Sequence, residues 1–188
     1  MPDLLAIAKV VAIALVCGAV LAGTDWLTED RIRYNEAAVL RAAIANLLPA
    51  DVETPAYPPA VDRVPGAWSL CSGHLLGRSD VRGYGGDIQL LYTVRTVNDS
   101  QPAQMMPAPP ALIRLTVLGH QETPGIADFL TDPAWLSAFS DQSAADIGGI
   151  DAITGATITS EAIREHLLAV LQDPLGQLGQ SQTVACDK

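Results

Sequence analysis

Lysine is almost missing. Only Lys9 and Lys188 occur in 188 residues, and 11 basic against 21 acidic side chains leave a formal net charge of −10. A chain of that sign repels a phosphate backbone, which argues against a nucleic-acid partner. Cysteine is scarce too: Cys17, Cys71 and Cys186 form no C-x-x-C, no C-x-x-C-H and no cluster. Iron–sulfur, haem c and structural zinc sites need such spacing, so none of them is supported. No internal repeat is visible. What remains after an N-terminal segment is set aside is enough chain for one domain with a genuine core.

That N-terminal segment is the longest apolar run. Leu4 to Ala22 is apolar except for Lys9, long enough for a helix to span a bilayer, with Lys9 able to snorkel and Trp26 at the position of an interfacial aromatic. Val20 and Ala22 could form a signal-peptidase site, but Asp3 and the lack of a basic residue before Lys9 make a poor n-region. Cys17 lacks the small residue that a lipoprotein needs to its left. The run therefore reads as a retained single anchor. The flank after it mixes Asp25, Glu29, Asp30, Arg31 and Arg33, so charge says little about orientation. Helical periodicity continues from Trp26 to Leu48, with Ile32, Val39, Ala43 and Leu47 beside Leu40, Ile44 and Leu48. This is either a stalk or the first helix of the globular part. Leu48-Pro49 stops it, and 49–65 is a proline-rich linker or loop. The implied division is 1–25 anchor, 26–65 stalk helix and linker, and 66–188 domain.

The middle of the chain reads as sheet. Ala67 to Cys71 is short and apolar, Asp87 to Val97 is rich in β-branched and aromatic residues, and Ala111 to Leu118 alternates. Asn98 to Pro110 suits an exposed hairpin loop. Pro133, Trp135, Leu136 and Phe139 mark a short helix.

Chemistry concentrates near the C-terminal end, in Asp151-Ala152-Ile153-Thr154-Gly155-Ala156-Thr157-Ile158-Thr159-Ser160. Ile163, Leu167, Val170 and Leu171 follow at i, i+4, i+7 and i+8, one face of a helix. Thr159 or Ser160 is placed to cap it, Glu161 suits its first turn, and Asp173-Pro174 ends it. Gly155 permits a sharp turn and Ala156 adds little bulk, so Thr157 can stand clear beside free helical N–H groups that welcome a phosphate. On local features alone this is also an ordinary capped turn.

The full string resembles the flavinylation motif Asp-x-x-(Ser/Thr)-Gly-Ala-Thr. That motif belongs to the FMN-binding domain shared by the G subunit of the Rnf electron-transport complex and the C subunit of the Na⁺-translocating NADH:quinone reductase. Two further segments, in the family's order, strengthen the likeness. His120-Gln121-Glu122-Thr123-Pro124-Gly125-Ile126 resembles His-x-Glu-Thr-Pro-Gly-Leu, and Gly83-Tyr84-Gly85-Gly86-Asp87-Ile88 resembles Gly-Tyr-Ser-Gly-x-Ile. With the anchor, they cover most of the chain and lie closer to the Rnf protein.

The resemblance implies an α/β (α+β) fold: one transmembrane helix, then an FMN-binding domain with a bent antiparallel sheet and packed helices. It implies FMN joined covalently to Thr157 through a phosphoester, with Thr154, Gly155, Ala156, Thr159 and Ser160 around the phosphate. Tyr84, Gly85 and Gly86 would approach the ring on one side, and Glu122, Thr123, Pro124, Gly125 and Ile126 on the other. Taken singly, the Gly-Gly and Thr-Pro-Gly stretches could be only a strand entry and a turn. No catalytic residue is assigned, and His120 with Glu122 is too little for a metal site. The family's Gly-Leu-Gly-Asp-Lys stands here as Gly125-Ile126-Ala127-Asp128-Phe129. Ala127 should narrow the backbone freedom of that turn, and Phe129 removes a positive charge that could neutralise a flavin anion. The family often carries a cysteine pair, so Cys71 and Cys186 would form a disulfide or remain two thiols. Attachment would need a separate Mg²⁺-dependent flavin transferase that uses FAD, and the partners would be other membrane subunits of an Rnf-type complex. The resemblance puts the anchor in a bacterial inner membrane and the domain on the periplasmic side. The alternatives are an FMN-domain sensor or standalone flavin carrier, and an anchored binding module with no cofactor.

Overall fold

The computed structural model describes residues 2–48, 66–70, 73–96, 109–173 and 182–183. The 49–65 linker, most of the Asn98 to Pro110 loop, Cys71 and Cys186 lie outside them, and so does the expected disulfide. Two compact units are distinguished, Met1–Val39 and Leu40–Lys188.

Helix α1 (Pro2–Leu47) makes up the first unit and enters the second. In the first unit the side chains from Ile7 to Ile32 are exposed, including Leu15, Val16, Val20 and Leu21. By length and composition it can cross a membrane.

The second unit is built on a sheet. β1 (Gly66–Ser69), β2 (His74–Arg82), β3 (Asp87–Arg95), β4 (Ala111–His120) and β5 (Gln142–Ser143) pair antiparallel, and β6 (Gln182–Thr183) joins β1 in parallel. The spatial order is β5-β4-β3-β2-β1-β6. Register shifts at Gln89/Leu90 and Thr93/Val94 interrupt the β3–β4 ladder, and such irregularities bend and twist a strand.

Both faces of the central strands are covered, which is why β3 reads as a nearly continuous apolar run. Ile88, Leu90, Tyr92 and Val94 join one core with Ile163, Leu167, Val170 and Leu171 of α4 (Thr157–Gln172). Full burial of such side chains is worth about 1.5–3 kcal/mol each, so this face alone secures the helix. The short η1 (Asp128–Thr131), α2 (Pro133–Ser137) and α3 (Ala144–Gly148) close the same side. Trp135 sits edge-on to both Phe129 and Phe139 there. On the other face Leu91 and Leu76 meet Trp68 and the end of α1, through Leu40, Ile44, Leu47 and Leu48. The last carbonyls of α1 are satisfied from the sheet: Arg114 Nη1 donates to Asn46 O at 2.7 Å and Thr93 Oγ1 to Leu47 O at 3.5 Å.

β2 is the strand that the sequence pattern did not announce. Its centre is Gly77-Arg78-Ser79-Asp80, which breaks alternation. A Cβ at Gly77 would collide with the ring of Tyr92, and Ser79 is buried beside the Tyr92 hydroxyl. The two least strand-like residues are there to accommodate one buried tyrosine.

Candidate functional site

Three loops converge at one end of the sheet, and a single carboxylate joins them. The β2–β3 turn closes with Gly83 N–H donating to Gly86 O at 2.9 Å. Glu122, just beyond β4 and only 6 % exposed, accepts the Gly85 N–H on both of its oxygens, at 3.0 Å each. Thr159 Oγ1 donates to Glu122 Oε1 at 3.1 Å and accepts the Tyr84 N–H at 3.2 Å. Hydrogen bonds thus bring together Tyr84, Gly85, Glu122 and Thr159, drawn from all three motif segments. The glycines are needed for this approach: a Cβ at Gly83 would strike the Glu122 carboxylate, and one at Gly86 would come within 2.6 Å of Gln121 Cβ.

The expected caps of α4 are corrected by the structure. The helix begins at Thr157, not beyond Ser160, with Ala156 as N-cap and no side-chain cap, and Glu161 falls outside the first turn. Gly155, at φ +87°, completes the turn early enough that the chain is helical by Thr157. Thr159 and Ser160 therefore lie within the first turn, each 3 % exposed. Ser160 Oγ accepts the Ile153 N–H at 3.0 Å and donates back towards Ala156 O, which ties the preceding loop to the helix.

Thr157 is different. It is exposed, and its hydroxyl makes one long contact, 3.4 Å to Ile153 O. The first helical bond is Ser160 N–H to Ala156 O, so the N–H groups of Thr157, Ile158 and Thr159 have no acceptor within the helix. Thr154 is exposed in the turn before it. On the opposite loop Ile126 and Ala127 N–H both reach Thr123 O, at 3.2 Å each, and Gly125 N–H reaches Asp128 Oδ1 at 3.0 Å. Gly125 sits at φ +89°, where only glycine is at ease. Ala127, by contrast, has φ −94° and is buried, so alanine costs the turn nothing. Thr123, Pro124 and Gly125 are exposed, and Phe129 is packed against Trp135.

Beyond α1, the exposed large apolar residues among those described are Tyr84 (74 %), Ile126 (50 %) and Ile158 (58 %). One stands on each of the three joined segments. An exposed hydroxyl at a helix N-terminus with unpaired N–H groups, on segments that each carry an unburied apolar side chain, fits a phosphate-bearing flat aromatic ligand. The donor set fits FMN.

A polar cluster that sequence reasoning missed lies under α4. Ser79 Oγ is 2.7 Å from both Tyr92 OH and His166 Nε2. Burial pushes the Tyr92 hydroxyl well above the usual phenol range, opposed by its bond to Ser79, and burial lowers the pKa of His166. Only the position of His166, three residues after Ile163 on the apolar face, hinted at it. A separate cavity of about 240 Å³, lined by residues including Asn46, Arg114 and Ser140, contains none of the motif residues.

Fold and site define a flavin-binding class: residues 110–172 match the FMN-binding domain family. The Gly83–Gly86 turn lies outside that match, so its membership of the site rests on the Glu122 bridge. Residues 10–47 match the RnfG N-terminal region. The chain is also 30 % identical over 179 residues to the G subunit of the ion-translocating oxidoreductase complex of Methanosarcina acetivorans, covering 86 % of this chain and 88 % of that protein. The chain belongs to this family of G subunits.

Proposed function

We propose that this protein is the membrane-anchored flavoprotein subunit of an Rnf-type ion-translocating complex, with FMN joined to Thr157 through a phosphoester. The observation that carries this reading is the contrast within one helical turn: Thr159 and Ser160 are buried and bonded, while Thr157 is exposed beside unpaired N–H groups. Attachment would be made by a separate Mg²⁺-dependent transferase. Thr157 Oγ1 would gain the bond to phosphorus and lose its proton, while the pyrophosphate bond of FAD breaks and AMP leaves. When bound, FMN supplies one-electron transfer, here on a route between ferredoxin and NAD.

The chain's own residues do the holding. The α4 N–H groups would face the phosphate, Gly155 keeps the turn narrow, and Tyr84, Ile126 and Ile158 offer apolar surface to the ring. No proton shuttle is required of them. The division into anchor 1–25, stalk and linker 26–65, and domain 66–188 is part of the proposal. So are the inner-membrane location, a periplasmic domain and a Cys71–Cys186 disulfide, the last testable by non-reducing peptide mapping.

The test is Thr157→Val in protein co-produced with its transferase. In-gel flavin fluorescence should be lost with the fold retained. Fluorescence that persists would move the attachment to Thr154 or Thr159. A colourless wild-type protein would favour a binding module without cofactor.

A further inference from the structure

Glu122 is a carboxylate buried beneath the site, and its hydrogen-bond partners are the Gly85 N–H and the Thr159 hydroxyl. The single hydrogen of Thr159 must go to Glu122, because the Tyr84 N–H already donates to that oxygen. Every partner is therefore a donor, the arrangement that an ionised carboxylate requires. The segments around it, 83–86, 121–129 and 151–160, contain Glu122, Asp128 and Asp151 but no lysine or arginine. The nearest arginines in sequence are engaged elsewhere: Arg82 with Asp87 at 3.0 Å, and Arg164 with the Ile150 carbonyl at 3.0 Å. Phe129, which stands where the family resemblance puts a lysine, packs on Trp135 and supplies no charge.

We infer that Glu122 is a positioning residue with two consequences: it clamps the glycine turn to the first turn of α4 so that Thr157 is presented for flavin attachment, and its charge, which forms no ion pair among the described residues, holds the reduction potential of the attached flavin low. The inference rests on the FMN–Thr157 reading above. The first consequence follows from geometry. Both oxygens of Glu122 accept protein donors, so it shapes the site through Thr159 and Gly85. Thr159 is two residues from Thr157 in the same turn, so freeing it loosens the first turn on which the attachment residue stands. The second follows from electrostatics. Reduction adds negative charge to a flavin, and a buried carboxylate bonded to the turn that carries the flavin is poorly screened by water or salt. It opposes that charge and favours the oxidised form. Surface carboxylates would be screened and exert little effect.

The experiment uses the full-length chain, co-produced with its transferase and purified in detergent, as wild type, Glu122→Gln and Glu122→Ala. Glutamine keeps one oxygen for Gly85 and Thr159, and it replaces the negative charge and the second acceptor with a neutral NH2 group. Alanine removes the clamp. Flavin occupancy is read by in-gel fluorescence, the midpoint potential by spectroelectrochemical titration, and folding by the thermal transition. Glu122→Gln should fold, load at least half as much flavin as wild type, and titrate at a more positive potential. Glu122→Ala should lose about tenfold in loading, a loss of the size expected when a site-supporting contact is removed. A loaded Glu122→Gln with unchanged potential, or Glu122→Ala that loads like wild type, overturns this inference alone. Failure of Glu122→Gln to fold overturns it too, because the geometry is required to survive loss of the charge. Wild type without flavin on Thr157 overturns the proposed function, and this inference with it.

Discussion

Thr157 and Thr159 are the same residue type two positions apart, and the same substitution should affect them very differently. Thr159→Val keeps shape and β-branching and deletes one oxygen. That oxygen donates to the Glu122 carboxylate at 3.1 Å and accepts the Tyr84 N–H at 3.2 Å. A bond to a charged group is worth about 1.5–3 kcal/mol and a neutral one about 0.5–1.5 kcal/mol. The Tyr84 N–H is only part-buried and can recover some of its loss to water, so the expected cost is roughly 2–4 kcal/mol. For a chain of this size each kcal/mol moves the midpoint by about 2–4 °C, giving a drop of roughly 5–15 °C. Thr157→Val deletes an exposed hydroxyl with one contact of 3.4 Å and should stay within about 0.5 kcal/mol of wild type. Thermal unfolding of the full-length protein in detergent, followed by the fluorescence of its buried tryptophans, measures both. If Thr159→Val shifts the midpoint no further than Thr157→Val does, the Glu122–Thr159 clamp is not what joins these loops.

Two further expectations use the same assay. Gly155→Ala meets nothing within 4 Å but sits at φ +87°, so it should cost about 1–2 kcal/mol through backbone strain alone; an unchanged midpoint would mean the turn relaxes freely. His166 should make the domain less stable in acid. Burial lowers its folded pKa below the usual 6.5, so its contribution is complete above 6.5. It declines as the unfolded chain takes up a proton first, and is lost as pH falls through the folded value. His166→Gln should flatten the pH dependence of the midpoint on the acid side of neutrality, and an unaltered slope would sink that assignment.

Much of the architecture was legible from residue order. The face of α4 made by Ile163, Leu167, Val170 and Leu171 is buried as its spacing requires, and β1, β3 and β4 fall where β-branched and alternating residues lie. β2 was not legible, because Gly77 and Ser79 answer to Tyr92 across the sheet and not to strand propensity. The hydroxyls of Thr159 and Ser160 resembled caps because Ser and Thr near a helix start usually are. Here Gly155 starts the helix earlier and turns both hydroxyls inward. The convergence of the motifs was beyond any local pattern. Gly85 and Glu122 are 37 residues apart and Tyr84 and Thr159 are 75 apart, and only the antiparallel return of β3 and β4 brings them together. Ala127 has a negative φ, so its turn does not call for glycine at that position.

The central claim is that Thr157, and no neighbouring hydroxyl, carries the flavin. Peptide mapping by mass spectrometry on protein co-produced with its transferase tests it most directly. The peptide containing residues 151–164 should bear one FMN, fragmentation should assign it to Thr157, and the yellow colour should survive denaturation. A flavin assigned to Thr154, Thr159 or another hydroxyl, or one released when the protein unfolds, would contradict it.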